Sequence, residues 1–332
     1  MPAPNPESLK LLKDHSLKAI AFAVARVPNS GRVFLGSSDF KVSEADFAAA
    51  KFEPKDLFAH ESYVTGVALA GNTLVSGGYD GKLTWYDTEK KAVVRTVDAH
   101  AKWVRKVVAS NDGKLFASVA DDMNCKVWKA DGSPVHTLKG HAEKTPTHFG
   151  SMLYTCAFSN DGSLLATADK VGHVVVWDVK DGKEIASVEA PVMYTWDPNA
   201  RRHSIGGVRA VAFSPDGTTL AVGGTGKIGN IDHLEAKARI ELFDWKAKKN
   251  LAAWDSDKFA GIVNKLAWAP DGSWLLGAGG AGEGFLLFLD PTGKKAIRQE
   301  KLPMHVHDFA LSEGADAVYA VGHNKASHFK LG

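Results

Sequence analysis

The stretch GGTGKIGN, residues 223–230, poses the first chemical question of this sequence. Within it Gly224, Gly226 and Gly229 spell G-x-G-x-x-G, and Asp244 lies 20 residues after Gly224. In a dinucleotide-binding turn such glycines let the backbone approach a pyrophosphate, and a later acid holds the ribose. That turn must open an amphipathic helix, whereas NIDHLEAKAR is short and lacks a continuous apolar stripe. A phosphate loop fails too. Ile228 stands where Ser or Thr must ligate magnesium, and Ala221 where the first glycine belongs. A second match, Gly277, Gly279 and Gly282, falls at the corresponding place of a later segment, so glycine-rich turns between strands explain both. Other reactive types are equally scattered. His305 and His307 alternate along MHVHD, with His323 and His328 following, but alternation alone puts strand residues on one face. No nearby carboxylate pair or cysteine pair completes a metal site. No serine sits in a nucleophile elbow, and no pair of acids is placed for hydrolysis. No catalytic residue, metal ligand or cofactor is assigned.

The elements around these residues repeat. Four segments share one pattern: VVASNDGKLFASVA (107–120), CAFSNDGSLLATAD (156–169), VAFSPDGTTLAVGG (211–224) and LAWAPDGSWLLGAG (266–279). Each reads as strand, turn, strand. Asp-Gly supplies the positive φ of a tight hairpin, and Pro215 and Pro270 preset the first turn position. A third strand follows and ends in a bulky residue plus a polar one, as in TWYDT, KVWKA, VVWDV, ELFDW and LFLDP; a more polar fourth strand comes next. His60, His100 and His141 then open successive units at spacings of 40 and 41 residues. A four-stranded unit of about 40 residues is a propeller blade, which cannot bury both faces alone and must stack with others. The expected fold is therefore all-β, a single seven-bladed β-propeller of four-stranded antiparallel blades. The blades are expected over 14–59, 60–99, 100–140, 141–190, 191–255, 256–302 and 303–332. The last unit has only three strands, and ESLKLLK (7–13) is the spare one whose pairing with it closes the ring.

Over essentially its whole length the chain resembles the WD-repeat family, through its spaced histidines, N/P-D-G turns and VWD or VWK endings. The resemblance implies a hydrogen-bonded set in each blade: His before the first strand, Ser or Thr on the second, Asp in the next turn, Trp on the third. Blade 3 matches in full with His100, Ser118, Asp122 and Trp128. Blade 2 offers His60, Ser76 and Asp80, with Tyr86 in the tryptophan position and Trp85 one place early. Blade 4 keeps His141, Thr167 and Trp177 but has Val171 in the Asp position, and blades 5 to 7 have largely lost the set.

Function is expected in what the repeat leaves over. Successive Asp-Gly turns at Asp112, Asp161, Asp216 and Asp271 exceed a 41-residue unit by 8, 14 and 14 residues. The excess locates to 142–151, 192–207 and 224–238, and by strand order all three insertions emerge on one rim over blades 4 and 5. There Tyr194, Trp196, Arg201, Arg202 and His203 are residue types that carry interface energy, and this rim is expected to be the principal protein-binding site, with the channel mouth as its competitor and Trp196 either anchoring a partner or its own loop. Tyr63 and Trp103 each follow a blade histidine by three residues, a position that in the resembled family often meets peptides at the channel mouth.

The 332 residues, 45% hydrophobic and 23% charged with net charge +2, give no reason to expect nucleic acid or an anionic membrane as partner. No apolar run reaches the roughly 18 residues of a membrane span. AIAFAVAR (19–26) ends like a signal-peptide cleavage site, but Glu7 and Asp14 precede it and its apolar part is only seven residues long. Two cysteines, Cys125 and Cys156, are too few for a disulfide framework and fit the cytoplasm. The resemblance implies a non-enzymatic protein- or peptide-binding scaffold, monomeric as an isolated chain and working in a larger assembly. The alternative is a propeller enzyme, lactonase- or hydrolase-like, with its site at the channel mouth.

Overall fold

The structure, a computed structural model, describes residues 3–197, 203–229 and 236–332. It contains seven four-stranded antiparallel sheets, each meandering in chain order except the last. The chain is a seven-bladed β-propeller. No helix among the described residues is long and apolar enough to cross a membrane.

The described residues fall into two compact units, 3–139 with 307–332, and 140–306. The first holds blade 1 (Ala21–Arg26, Arg32–Ser37, Lys41–Asp46, Lys55–Ala59) and blade 2 (Val64–Ala70, Thr73–Gly78, Lys82–Asp87, Ala92–Asp98). It also holds blade 3 (Val104–Ala109, Leu115–Ala120, Cys125–Lys129, Pro134–Leu138) and most of blade 7. Blade 7 takes Ala317–Gly322 and Lys325–Lys330 from the C-terminal end and its outer strand, Lys10–Ser16, from the other end. Lys10 pairs with Lys330 and Ser16 with Lys325, so the expected exchange is present, three residues further along than expected. Residues 21–26, inside the apparent cleavage site, are the buried first strand of blade 1.

The second unit holds blade 4 (Leu153–Phe158, Leu164–Asp169, His173–Asp178, Lys183–Glu189) and blade 5 (Ala210–Phe213, Thr219–Thr225, Lys237–Asp244, Lys249–Ala260). Its third sheet is blade 6 (Ile262–Trp268, Leu275–Gly280, Gly284–Leu289, Ala296–Leu302). The outer strand of blade 5 runs to Ala260, past the expected blade boundary at 255.

Inner strands read as near-continuous buried runs, and outer strands as exposed ones, because only the inner three are covered on both faces. Neighbouring blades pack apolar faces together: Trp85, Phe116 and Trp128 between blades 2 and 3, and Val176, Val211 and Val222 between blades 4 and 5. The hairpins use the Asp-Gly turns as expected. Gly113, Gly162, Gly217 and Gly272 take φ of +70° to +75°, a region in which a Cβ is strained. In blade 3 Ser110 Oγ donates to Asp112 at 2.7 Å, and the Lys114 N–H donates to the same carboxylate. These bonds hold Asp112 down to a pKa of about 2.

One glycine of each apparent nucleotide motif has a clear packing reason, whereas an added Cβ at Gly229 or Gly282 would meet open space. Gly224 pairs with Arg239 inside a strand, where an added Cβ would meet the Gly207 carbonyl oxygen at 2.7 Å. A Cβ on Gly279 would lie 1.8 Å from the Ile262 oxygen. Close backbone approach, not a phosphate, accounts for glycine at both sites.

Candidate protein-binding surfaces

The hydrogen-bonded sets fix the loops that carry the exposed residues. In blade 3, His100 lies 3.1 Å from both oxygens of Asp122 through Nδ1 and 2.8 Å from Ser118 Oγ through Nε2. Trp128 Nε1 donates to the same Oγ at 3.1 Å. An indole N–H can only donate, so Ser118 accepts from Trp128 and passes its own proton toward His100, whose Nδ1–H then serves Asp122. Burial opposes the charge on Asp122, but the bonds from His100 and from two backbone N–H groups outweigh it and hold its pKa at about 2.

Blade 4 forms the same set with a different acid. His141 Nδ1 is 3.0 Å from Asp169 Oδ2 and its Nε2 is 2.8 Å from Thr167 Oγ1, to which Trp177 also donates at 2.8 Å. Val171 in the Asp position does not leave this blade without an acid. Asp169, the last residue of the second strand, reaches the imidazole from two residues earlier and also accepts from the Val171 N–H. In blade 2, His60 bonds Asp80 at 3.0 Å and Ser76 at 2.8 Å, while the buried indole N–H of Trp85 has no hydrogen-bond partner among the described residues.

In blades 2 and 3 the residue directly before the set's Asp anchors the residue entering the first strand. The Tyr63 carbonyl accepts from Tyr79 N, and that of Trp103 from Asp121 N, so the two aromatics occupy equivalent places in blades 2 and 3. Tyr63 is 41% exposed and Trp103 49%. Tyr79 bridges them: it stacks on Trp103 at 4.5 Å between centroids and 5° between planes, and lies 5.7 Å from Tyr63. Phe22 and Phe40 extend the run, each 5.6 Å from Tyr63. Arg105 locks it. Its guanidinium forms a fork with both oxygens of Asp121 at 2.8 and 2.6 Å and donates to the Tyr79 hydroxyl at 2.6 Å. It also lies 5.2 Å from the Trp103 ring. Two large aromatics are thus exposed yet held in place.

Tyr79, Arg105 and Phe22 escape a reading of the sequence alone. Tyr79 sits in GGYDGK, which reads as a plain turn; the available signal is an aromatic directly before the set's Asp.

The second unit gathers the three insertions. The segment 192–207 forms a two-stranded ladder, Tyr194–Asp197 against His203–Gly206. Tyr194 Oη is 3.3 Å from Thr147 Oγ1, Trp196 packs on Phe149 at 5.1 Å, and the Ile228 N–H donates to Thr195 Oγ1 at 3.0 Å. All three insertions therefore meet around the ladder. Trp196 is half-buried there, while Phe149 is 49% exposed. Arg201 and Arg202 lie outside the described residues, and His203 is described only as a ladder strand residue.

Of the histidines, His305 contacts Asn264 at 2.7 Å, whereas His307 packs on Phe22 at 5.1 Å and near His323 at 4.9 Å. Among the described residues no three His, Cys, Asp or Glu side chains are grouped to hold a metal ion. Cys125 and Cys156 are both buried in strands, and no disulfide joins them.

Against known families, residues 53–87, 91–129, 132–178 and 198–228 match the WD domain, G-beta repeat. With seven four-stranded blades and three sets of His, Ser or Thr, and Asp, that match decides the family. This chain is a WD-repeat propeller. It is similar to apoptotic protease-activating factor 1 of Rattus norvegicus, 32% identical over 170 residues, or 51% of this chain and 13% of that protein. It is also similar to protein hir-1 of Neurospora crassa, 35% identical over 146 residues, or 38% of this chain and 13% of the relative. Nuclear distribution protein PAC1-2 of Uncinocarpus reesii is 30% identical over 132 residues, 35% of this chain and 29% of its own length. The WD-repeat chain thus spans less than a third of each of these relatives.

Proposed function

We propose that this WD-repeat propeller is a non-enzymatic scaffold that binds a protein or peptide within a larger assembly, and that it binds through the aromatic surface of blades 1 to 3. The observation that carries the reading is Trp103, 49% exposed, stacked on a Tyr79 whose hydroxyl is fixed by Arg105. Exposed Trp and Tyr already held in position supply contact area without a large entropy loss on binding, which is how binding hot spots work. The ionisable groups beneath the rings support binding over catalysis. Arg105 and Asp121 neutralise one another, and Lys106 pairs with the buried Asp308 at 3.2 Å. Groups committed to each other in this way are poorly poised as general acid and base. The small net charge of +2 supports a protein partner over a polyanion.

The insertion 192–207, whose sequence carries Tyr194, Trp196, Arg201, Arg202 and His203, is a second candidate surface, favoured by the exposed Phe149. It ranks second because Trp196 is engaged by its own loop cluster. The reading includes the cytoplasm as location, consistent with two cysteines that form no disulfide with each other. The test is capture from the native host with the parent and with Tyr63→Ala/Trp103→Ala, read by mass spectrometry. A partner retained by the parent and lost by a folded double variant supports the proposal; equal capture by both overturns it.

A further inference from the structure

The turn between the second and third strands closes in the same way in four blades. The Gly81 N–H donates to the Gly78 carbonyl in blade 2, Met123 to Ala120 in blade 3, Gly172 to Asp169 in blade 4 and Phe40 to Ser37 in blade 1. Each donor residue has a positive φ, in that order +79°, +61°, +92° and +73°. Glycine adopts this conformation in blades 2 and 4 without steric cost, whereas a bulky aromatic there is strained. Met123 is buried, so packing accounts for it. Phe40 is 41% exposed, and its ring lies 5.6 Å from that of Tyr63. Strain held at an exposed side chain does little for the fold, and such positions cluster at ligand-binding sites.

Phe40 adds a ring to the blade 1 end of the run through Tyr63, Tyr79 and Trp103. The run is aromatic and its charges balance. Arg105 is forked on Asp121, Lys82 pairs with Glu61 and Lys41 with Asp56. The exposed Asp39 and Lys102, next to Phe40 and Trp103 in the chain, are of opposite sign. Besides carbon the run offers donors: the Tyr63 hydroxyl and the Trp103 indole N–H make no hydrogen bond among the described residues. A proline-rich segment complements such a surface. Proline has a carbonyl but no N–H, so its acceptors look to the partner for donors. Its rings pack on aromatic ones, and its polyproline II conformation is largely set before binding. One turn of that helix, three residues of about 3.1 Å rise each, is on the scale of the steps from Tyr63 to Tyr79 and on to Trp103, 5.7 and 4.5 Å.

We propose that the aromatic surface takes a proline-rich segment of the partner in the polyproline II conformation, and that Phe40 is one of its contact residues. The proposal rests on the reading that blades 1 to 3 bind the partner. The probe is acetylated, amidated nonaproline, with a Gly-Ser peptide of the same length and capping as control, each titrated calorimetrically into the whole chain. Nonaproline should bind the parent at least about tenfold more tightly than the control. Phe40→Gly should bind it at least about fivefold more weakly, as expected for the loss of a contact residue. The same variant should melt no lower than the parent, because glycine takes this turn without strain, as at Gly81 and Gly172. Equal binding of the two peptides, undiminished binding by Phe40→Gly, or a clear loss of stability in Phe40→Gly overturns the proposal. Failure of nonaproline to bind, with the native partner still lost by Tyr63→Ala/Trp103→Ala, overturns the ligand class and leaves the surface standing. Retention of the partner by that double variant overturns the surface itself.

Discussion

His141 Nδ1 lies 3.0 Å from Asp169 Oδ2, and both side chains are 1% exposed. That pair completes a set which the repeat register assigns to Val171. Asp169→Ala leaves the imidazole Nδ1–H and the Val171 and His173 N–H groups without an acceptor. The expected cost is on the order of 1–3 kcal/mol, with Val171→Ala within about 0.5. Urea denaturation of the two variants checks this; equal midpoints would mean that Asp169 is not the acceptor that matters.

Asp122→Ala in blade 3 removes the corresponding acceptor from His100 and from the Ala101 and Asn124 N–H groups. A similar loss, about 1–3 kcal/mol, is expected by the same measurement. A variant as stable as the parent would contradict the set as drawn.

Closure rests on Lys10–Ser16, whose pairing with Lys325–Lys330 is reinforced by Ser327 Oγ donating to Asp14 at 2.7 Å. Removing residues 1–16 bares the edge of Lys325–Lys330 and should lower the melting temperature and bring on aggregation. Scanning calorimetry and light scattering are the readouts. An unchanged melting curve would show that the exchange does not close the fold.

The same seam should be acid-sensitive. His15 stacks on Phe52 at 4.8 Å and His328 on Tyr319 at 4.5 Å, and Nε2 of the first and Nδ1 of the second are buried without hydrogen-bond partners among the described residues. Burial, then the Lys13 charge, pushes both imidazoles below the usual histidine range, against the opposing pull of Asp14 on His15 and Asp316 on His328. The unfolded chain therefore binds more protons, so this stability is present above about pH 6.5 and is lost as pH falls through the folded values. The urea midpoint of the parent should drop between pH 7.5 and 5.5, and that of His15→Phe/His328→Phe should drop less. Equal drops would assign the effect elsewhere.

The fold was legible because its signals are local: Asp-Gly fixes each hairpin, and the bulky strand endings fix the register. The N-terminal exchange was legible from a missing strand. The Asp169 substitution was hidden because counting along a strand cannot show that a side chain two residues earlier reaches the same imidazole. The aromatic surface was half visible. Tyr63 and Trp103 repeat with the histidines, but Tyr79 and Arg105 join them only through folding, from a turn and a strand about 25 residues apart. The insertions were visible as excess length, and their meeting point as strand order. Their side-chain engagement, with Trp196 against Phe149, was not.

The central claim is that Tyr63 and Trp103, held by Tyr79 and Arg105, form the principal protein-binding surface. Calorimetric titration of the captured partner into three folded proteins tests it most directly: the parent, Tyr63→Ala/Trp103→Ala, and Trp196→Ala. Together the two aromatics are expected to be worth about 2 kcal/mol or more, so the double variant should bind at least ~30-fold more weakly while Trp196→Ala stays near parent affinity. Parent-like affinity in the double variant, with the loss appearing in Trp196→Ala, would contradict the account and move the site to the insertion ladder.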